Sequence, residues 1–201
     1  MRRQRPESAA ARPLKIVVTG PFAAGKTSLI QTISDVTVLG TERPISDHTS
    51  SGTKDSTTVA MDFGRIQLGG PEGRGPALFL FGTPGQERFD VMWEVLSEGM
   101  IGFVLLVNAA DDRSAEQAVA HLDTFRRYAD VPFVVGVTHL DAPGASLPAV
   151  RERLGLGDGV PVVACDPRSR EDVKGLMLRI LFGVLERLDA AEGAEPVAVS
   201  S

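Results

Sequence analysis

The sequence predicts an α/β fold, a three-layer sandwich in which helices cover both faces of a mostly parallel sheet of six strands. Short apolar runs alternate with amphipathic segments along the chain, which is the pattern of alternating strands and helices. Polar motifs follow directly after four of these apolar runs. Because ligands in such folds bind beyond the carboxyl ends of the strands, the motifs indicate one shared site.

Composition favours one folded domain and argues against some partners. The chain has 201 residues, 43% of them hydrophobic, and its net charge of −5 comes from interspersed charges that do not indicate nucleic acid as a partner. No apolar stretch reaches the roughly 20 residues of a membrane span, so we expect a cytoplasmic protein without stable membrane insertion. We expect a disordered basic arm at residues 1–12, one domain at residues 13–189 and a disordered tail at residues 190–201.

The first apolar run, residues 16–18, leads into residues 20–27, which read G-P-F-A-A-G-K-T and fit the phosphate-binding pattern G-x-x-x-x-G-K-S/T. A helix is predicted after it, at residues 28–34. Glycines let such a loop turn its amides toward a phosphate, and the positive end of the helix adds to the attraction. A lysine then reaches the β- and γ-phosphates, and a threonine hydroxyl ligates Mg²⁺. The residues expected to contact phosphate or metal are Gly20, Ala23, Ala24, Gly25, Lys26, Thr27 and Ser28.

The next segment combines a polar stretch with a predicted hairpin. Residues 47–58 are almost wholly small and polar, so we expect them to be mobile unless a ligand holds them. An alternating strand is predicted at residues 59–63, with its antiparallel partner at residues 77–81. The apolar phase shifts between Phe63 and Ile66, which predicts a bulge near Gly64.

The second half of the chain continues the alternation. Strands are predicted at residues 101–107, 133–137 and 160–164, and helices at residues 89–96, 114–128 and 147–154. A last helix carries a core-facing stripe formed by Val173, Leu176, Met177, Ile180, Leu181, Val184, Leu185 and Leu188. In the helix at residues 89–96, the apolar positions around Trp93 fit either packing on the sheet or a surface for a partner.

Several motifs, and the order in which they follow each other along the chain, resemble those of the Ras-like small GTPases of the P-loop NTPase class. The resemblance covers residues 14–188. Besides the phosphate loop, they are T-V-A-M-D-F at residues 58–63 and T-P-G-Q-E-R-F at residues 83–89. The resemblance implies that Thr58 binds Mg²⁺ together with Thr27, with Thr57 as the alternative. It also implies that the Gly85 amide bonds the γ-phosphate, and that Gln86 orients the attacking water while Lys26 assists.

Two further motifs occupy the places where the family reads the guanine base. Thr138, His139 and Asp141 stand in T-H-L-D at the place of N-K-x-D, and Ala164 and Cys165 begin the counterpart of the S-A-K loop. The carboxylate of Asp141 is suited to accept two hydrogen bonds from the N1–H and exocyclic amine of guanine, which adenine does not offer. The resemblance and this chemistry predict GTP and GDP as the bound nucleotides.

The chain departs from the family at three places. Gly82 stands where an aspartate is usual, Thr138 and His139 replace Asn and Lys, and Phe22 fills space that an inserted arginine would need. These departures predict slow hydrolysis in a molecular switch. A guanine-nucleotide-binding scaffold that barely hydrolyses is the alternative, and a P-loop kinase is a weaker one.

The pattern is most similar to MglA-related bacterial GTPases, close to the actinobacterial conservon GTP-binding proteins. That resemblance implies two partners, a roadblock/LC7-type protein and a histidine-kinase-like sensor, through which the protein would reach the membrane periphery.

Overall fold

The computed structural model describes residues 14–38, 43–44, 58–59, 61–69, 75–84 and 90–193, although the side chains of 37, 38, 43, 44, 58, 59 and 90–92 are not described. The strands are β1 (Leu14–Thr19), β2 (Val36–Val38), β3 (Arg43–Pro44), β4 (Thr58–Val59), β5 (Asp62–Gln67), β6 (Ala77–Gly82), β7 (Gly102–Asn108), β8 (Phe133–Thr138) and β9 (Val162–Ala164). The helices are α1 (Lys26–Ile33), α2 (Asp90–Ser97), α3 (Asp112–Tyr128), α4 (Leu147–Arg153) and α5 (Arg170–Gly193).

Within these residues, one sheet has the strand order β2-β5-β6-β1-β7-β8-β9. The strands from β6 to β9 run parallel, β5 pairs antiparallel with β6, and β2 pairs antiparallel with β5. The predicted fold class, an α/β sandwich on a mostly parallel sheet, is therefore confirmed. The three-residue strand β2 lies at the edge, beyond the six strands that the sequence predicts. The short strands β3 and β4 pair with each other outside this sheet.

Two apolar cores lie on the two faces of the sheet. One core contains residues of α1 and α5, and the other contains residues of α2, α3 and α4. Because successive side chains of a strand point to opposite faces, β1 contributes Ile16 and Val18 to the first core and Val17 to the second. All three are fully buried, so β1 is fixed from both sides.

The predicted bulge near Gly64 is absent. Pairing between β5 and β6 is continuous from Asp62 opposite Gly82 to Gln67 opposite Ala77, and β5 begins at Asp62 rather than at residue 59. A Cβ on Gly64 would lie 2.7 Å from Ile30 Cγ2, so α1 packs directly on the backbone there. The apolar phase shifts because Ile66 packs on the first core while Phe63, on the opposite face, packs on the rings of Phe79 and Phe81, not because a residue is inserted.

Helix α5 also differs from the prediction. Its first half buries the expected stripe of Val173, Leu176, Met177 and Ile180. Leu185 and Leu188 were expected to face the core but are 53% and 55% exposed. A helix of 24 residues is about 36 Å long, whereas a six-residue strand is about 20 Å long, so the helix outruns the sheet. It continues to residue 193, into the segment predicted as a disordered tail. None of the described helices combines the length and the hydropathy needed to cross a membrane.

A chain of buried polar side chains crosses the second core beneath the strand ends. The Thr83 hydroxyl donates to Thr19 Oγ1 at 3.0 Å, and Thr19 Oγ1 lies 3.1 Å from Nδ1 of His121, which is 1% exposed. Because Thr19 accepts from Thr83, its own proton is available to His121, which fits a neutral imidazole. Burial, and then the charge of Lys26, lower the pKa of His121 to about 4.

This burial predicts acid sensitivity. Between pH 6.5 and pH 4 the unfolded chain protonates His121 while the folded chain does not, so the free energy of unfolding should fall as pH decreases through this range. Between pH 7 and pH 4.5, the free energy of unfolding should fall by about 2 to 3 kcal/mol less in the His121→Gln variant than in wild type. Urea unfolding at both pH values measures the difference. The exposed His139, changed to Gln, is the matched control, and equal acid losses in wild type and His121→Gln would contradict the prediction.

Candidate functional site

The loop between β1 and α1 has the backbone of a phosphate-binding turn. Gly20 and Gly25 adopt φ values of 140° and 102°, and Ala23 adopts 59°. A Cβ on Gly20 would lie 2.3 Å from the carbonyl oxygen of Leu106, so only glycine fits there. Gly25 begins α1 without any side-chain cap, which leaves the first amides of the helix without a competing side-chain acceptor. The loop is thus shaped to receive an anion at the helix N-terminus.

Lys26 lies across this loop with its ammonium group held by the backbone. Its Nζ donates to the carbonyl oxygens of Gly20 at 2.7 Å and Pro21 at 2.6 Å, and the residue is 8% exposed. Burial lowers the pKa of Lys26 to about 8, and the negative charge of Asp62 opposes that effect. The ammonium group of Lys26 therefore places a positive charge directly at the phosphate loop.

The predicted metal ligand Thr27 has a hydrogen-bond partner that sequence reasoning missed. Its Oγ1 donates to Oδ2 of Asp62 at 2.6 Å, while Thr27 itself is exposed. Asp62 is paired directly with Gly82 across β5 and β6. The usual aspartate is missing at Gly82, but a carboxylate on the neighbouring strand reaches the same region. Only the strand register reveals this, because the two residues are 20 positions apart in the chain.

The structure does not test several residues to which the resemblance assigns a role around residues 57–58 and 85–86. Thr57, Gly85 and Gln86 lie outside the described residues. The backbone of Thr58 lies in β4, opposite Pro44, but its side chain is not described. Their roles toward Mg²⁺, the γ-phosphate and the attacking water stay predictions.

Thr138 connects the end of β8 to the phosphate loop. It is 1% exposed, and its Oγ1 lies 3.4 Å from the carbonyl oxygen of Ala24 and 3.3 Å from that of Val107. His139 follows with a φ of 57°, and its Nδ1 lies 3.0 Å from Thr138 Oγ1. A threonine thus takes over the contact between the base-reading motif and the loop backbone, although it has fewer hydrogen-bonding groups than an asparagine.

A single cavity of about 630 Å³ joins the two ends of the predicted site. At one end it is lined by the phosphate loop, and at the other by the motifs that follow β8 and β9. This volume lies within the usual range of pockets for small molecules. The predicted site residues that line it are Ala23, Gly25, Ser28, His139, Asp141, Ala164 and Cys165.

Cys165 lines this cavity with an amide that already has a partner. Its N–H donates to the carbonyl of Val137 at 2.9 Å, and the next amide, that of Asp166, donates to Asp172 Oδ2 at 2.9 Å. Burial, followed by the charges of Asp172 and Asp166, raises the pKa of the Cys165 thiol to about 12. Contact between the Cys165 amide and a base, as the resemblance implies, would therefore require this sheet hydrogen bond to open.

Arg168 is a second residue that sequence reasoning missed. Its guanidinium lies at the cavity and pairs with both oxygens of Asp166, at 3.0 and 3.1 Å. Hydrogen bonds from Arg168 lower the pKa of Asp166, and the charge of Asp141 helps to raise the pKa of Arg168. The cavity therefore presents a planar cation beside the carboxylate that was predicted to read the base. The one feature of the sequence that could have indicated Arg168 is its position directly after A-C-D-P.

Two aromatic residues that the sequence singles out differ in burial. Trp93 is 2% exposed, and its ring centroid lies 4.3 Å from that of His121, so it packs in the core and is not part of an exposed surface. Phe22 is 73% exposed on the phosphate loop. That this ring would obstruct an inserted arginine stays a prediction.

Comparison with known proteins places the chain among nucleotide-binding proteins. Residues 18–155 match the family described as "Conserved hypothetical ATP binding protein", which is more than half of the chain. The chain is also similar to proteins named translation initiation factor IF-2. It is 29% identical over 190 residues to that of Syntrophobacter fumaroxidans (90% of this chain, 18% of the relative) and 33% over 158 residues to that of Stigmatella aurantiaca (78% and 13%).

A third relative, IF-2 of Zymomonas mobilis, is 31% identical over 150 residues, covering 74% of this chain and 13% of the relative. The chain thus spans less than a fifth of the length of these three proteins. The similarity therefore concerns one part of each. The match over residues 18–155 and the geometry of the phosphate loop agree, and the chain belongs to this P-loop NTPase family of conserved hypothetical ATP binding proteins.

Proposed function

We propose that this domain binds GTP and GDP with Mg²⁺, hydrolyses GTP slowly and acts as a molecular switch. The observation that carries the proposal is the cavity that runs from the phosphate loop to Asp141. One end is lined by the phosphate loop at the N-terminus of α1, and the other offers the Asp141 carboxylate to a base. Lys26 lies on the same loop, although it does not itself line the cavity. A nucleotide is the ligand that presents an anion and a hydrogen-bonding ring at these two ends.

At the phosphate end, Lys26 would exchange its two carbonyl partners for the oxygens of the β- and γ-phosphates. The hydroxyl of Thr27 fits a hard cation because its proton is donated to Asp62 and its lone pairs remain available. Thr27 and Thr58 would hold Mg²⁺, with Thr57 as the alternative to Thr58. Bound Mg²⁺ would neutralise charge on the phosphate oxygens during hydrolysis.

The hydrolytic step and the switch rest on the resemblance to Ras-like GTPases. Gln86 would orient water for in-line attack on the γ-phosphorus, while Lys26 stabilises the charge that develops on the transferred group. The γ-phosphate would hold Thr58 and the Gly85 amide, and its loss would release both segments. A partner protein would then distinguish the two states.

The family comparison and the chemistry of the cavity favour different nucleotide bases. The matching family is described as ATP binding, whereas the Asp141 carboxylate at the cavity can accept two hydrogen bonds from guanine, one from N1–H and one from the amine at C2. Adenine has no N1–H and carries its amine at C6, so it cannot make this pair of hydrogen bonds. We favour guanine because the Asp141 carboxylate can only accept hydrogen bonds. A base that offers it too few donors would remove water from the carboxylate without replacing the lost hydrogen bonds, which costs free energy.

Phe22 favours a second candidate, a guanine-nucleotide-binding scaffold. Its side chain is 73% exposed on the phosphate loop, and by the resemblance it would obstruct an arginine that a partner inserts toward the γ-phosphate. Such a domain would use bound nucleotide for partner docking and hydrolyse it hardly at all. Measured turnover separates the two candidates.

Branch, partners and location follow from the resemblance alone. We place the chain with MglA-related proteins near the actinobacterial conservon GTPases. On that basis, a roadblock/LC7-type protein and a histidine-kinase-like sensor are the partners to test. The proposed location is the cytoplasm, with peripheral membrane contact through such partners.

The role of Asp141 predicts a change in base preference. The Asp141→Ala variant should lose about a hundredfold in GDP affinity, because two charge-assisted hydrogen bonds are removed, while its weak ATP affinity stays the same. Titration with fluorescent guanine and adenine nucleotides measures both. Asp158→Ala, a change at an exposed aspartate outside the cavity, is the control. Equal GDP affinities in wild type and Asp141→Ala would refute guanine recognition by this residue.

The role of Gln86 predicts a loss of rate without a loss of binding. In single turnover, Gln86→Ala should release γ-phosphate about a hundredfold more slowly than wild type, since the attacking water is no longer positioned. GTP affinity should stay within about threefold of wild type, because the contacts that bind GTP before the reaction do not involve this side chain. If wild type itself releases no phosphate over hours, the scaffold is correct and the enzymatic proposal is wrong.

A further inference from the structure

We propose that Asp62, from the strand opposite Gly82, is the carboxylate that positions Thr27 and completes the divalent-cation site of this pocket. The inference rests on the proposed function, because it concerns the cation that accompanies the nucleotide. It goes beyond that function by assigning the missing acidic group to a different strand.

The first step of the argument is the contact with Thr27. A hydroxyl has one proton and two lone pairs, and here the proton is directed at Asp62 Oδ2 over 2.6 Å. A threonine held in this way presents its lone pairs to a cation. The carboxylate also draws the hydroxyl proton toward itself, which makes the threonine oxygen a stronger electron-pair donor to the metal. Carboxylates that orient metal ligands in this manner are a regular part of metal sites.

The second step is the close contact between Asp62 and Gly82. A Cβ on Gly82 would lie 2.9 Å from Asp62 Cβ, 3.2 Å from Asp62 Oδ2 and 2.9 Å from Ile30 Cδ1. Two side chains do not fit in this space. An aspartate at residue 82 and one at residue 62 therefore exclude each other, and the glycine makes room for the carboxylate that is present.

The third step is the place of the carboxylate beside the phosphate loop. Asp62 is partly buried, and the hydroxyl that it holds belongs to the residue directly after Lys26. Its negative charge therefore lies beside the start of α1, where the phosphates and the cation would meet. Among the described residues, no group of three or more His, Cys, Asp or Glu side chains gathers to hold a metal. One carboxylate with hydroxyl and phosphate oxygens is a usual set for Mg²⁺.

A purely structural role is the competing explanation, since the same hydrogen bond connects β5 to α1. Asp62→Asn separates the two. Asparagine retains the size and an acceptor for the Thr27 hydroxyl but lacks the charge. A structural tether would survive this change, whereas a cation site would be weakened.

The experiment measures how nucleotide dissociation depends on Mg²⁺. Full-length protein is loaded with a fluorescent GDP analogue, and the dissociation rate is followed across Mg²⁺ concentrations and in excess EDTA. For Asp62→Asn, the Mg²⁺ concentration that gives half-maximal retention should rise about 10- to 100-fold, while the rate in EDTA stays near that of wild type. Thermal unfolding without Mg²⁺ checks that each variant is folded.

A relocation of the carboxylate provides the sharper test. Asp62→Gly combined with Gly82→Asp moves the acid to the other strand, and Asp62→Gly with Gly82→Asn is the matched control of similar bulk without charge. The first pair should recover most of the Mg²⁺ dependence, and the second should behave as Asp62→Gly alone.

The outcomes separate this inference from the proposed function. A wild-type Mg²⁺ requirement in Asp62→Asn, or equal behaviour of the two double variants, would overturn the role of Asp62 even if GDP binds well. Retention of adenine instead of guanine nucleotide, with the Mg²⁺ dependence lost in Asp62→Asn, would overturn the proposed base and support Asp62. Absence of any nucleotide binding in wild type would overturn both.

Discussion

The position of β1 at the centre of the sheet is the constraint on which the site depends. It is paired on both sides with parallel strands and buried on both faces, so its carboxyl end is fixed. Gly20 follows directly and touches the backbone of β7 so closely that no side chain fits. The loop must therefore leave the sheet in a left-handed turn, and this turn brings Lys26 back over its carbonyls.

Neighbouring strand ends hold the loop in place. Thr138 at the end of β8 reaches the carbonyl oxygen of Ala24, and Thr83 after β6 donates to Thr19 at the end of β1. These short polar side chains connect the predicted base-reading motif and the start of the motif at residues 83–89 to the phosphate loop and the strand before it. Because they are nearly fully buried, any displacement costs hydrogen bonds that water does not replace. Threonine hydroxyls thus hold the loop together with the ammonium group of Lys26.

Local pattern predicted much of this arrangement, and register determined the rest. The phosphate loop, the buried strands and the stripe of α5 follow from spacing over a few residues, which is why the sequence alone was sufficient. Asp62 could not be found in this way, since its meaning depends on lying opposite Gly82 in a paired strand. The engaged amide of Cys165 and the exposure of Leu188 depend in the same way on which elements meet and how long each one is.

The claim at the centre of this account is that the phosphate loop and Asp141 hold the two ends of one guanine nucleotide. Chromatography of the small molecules released when the purified protein is denatured tests it most directly. The account predicts GDP or GTP, in an amount that approaches one per chain. Release of adenine nucleotides in that amount would contradict it.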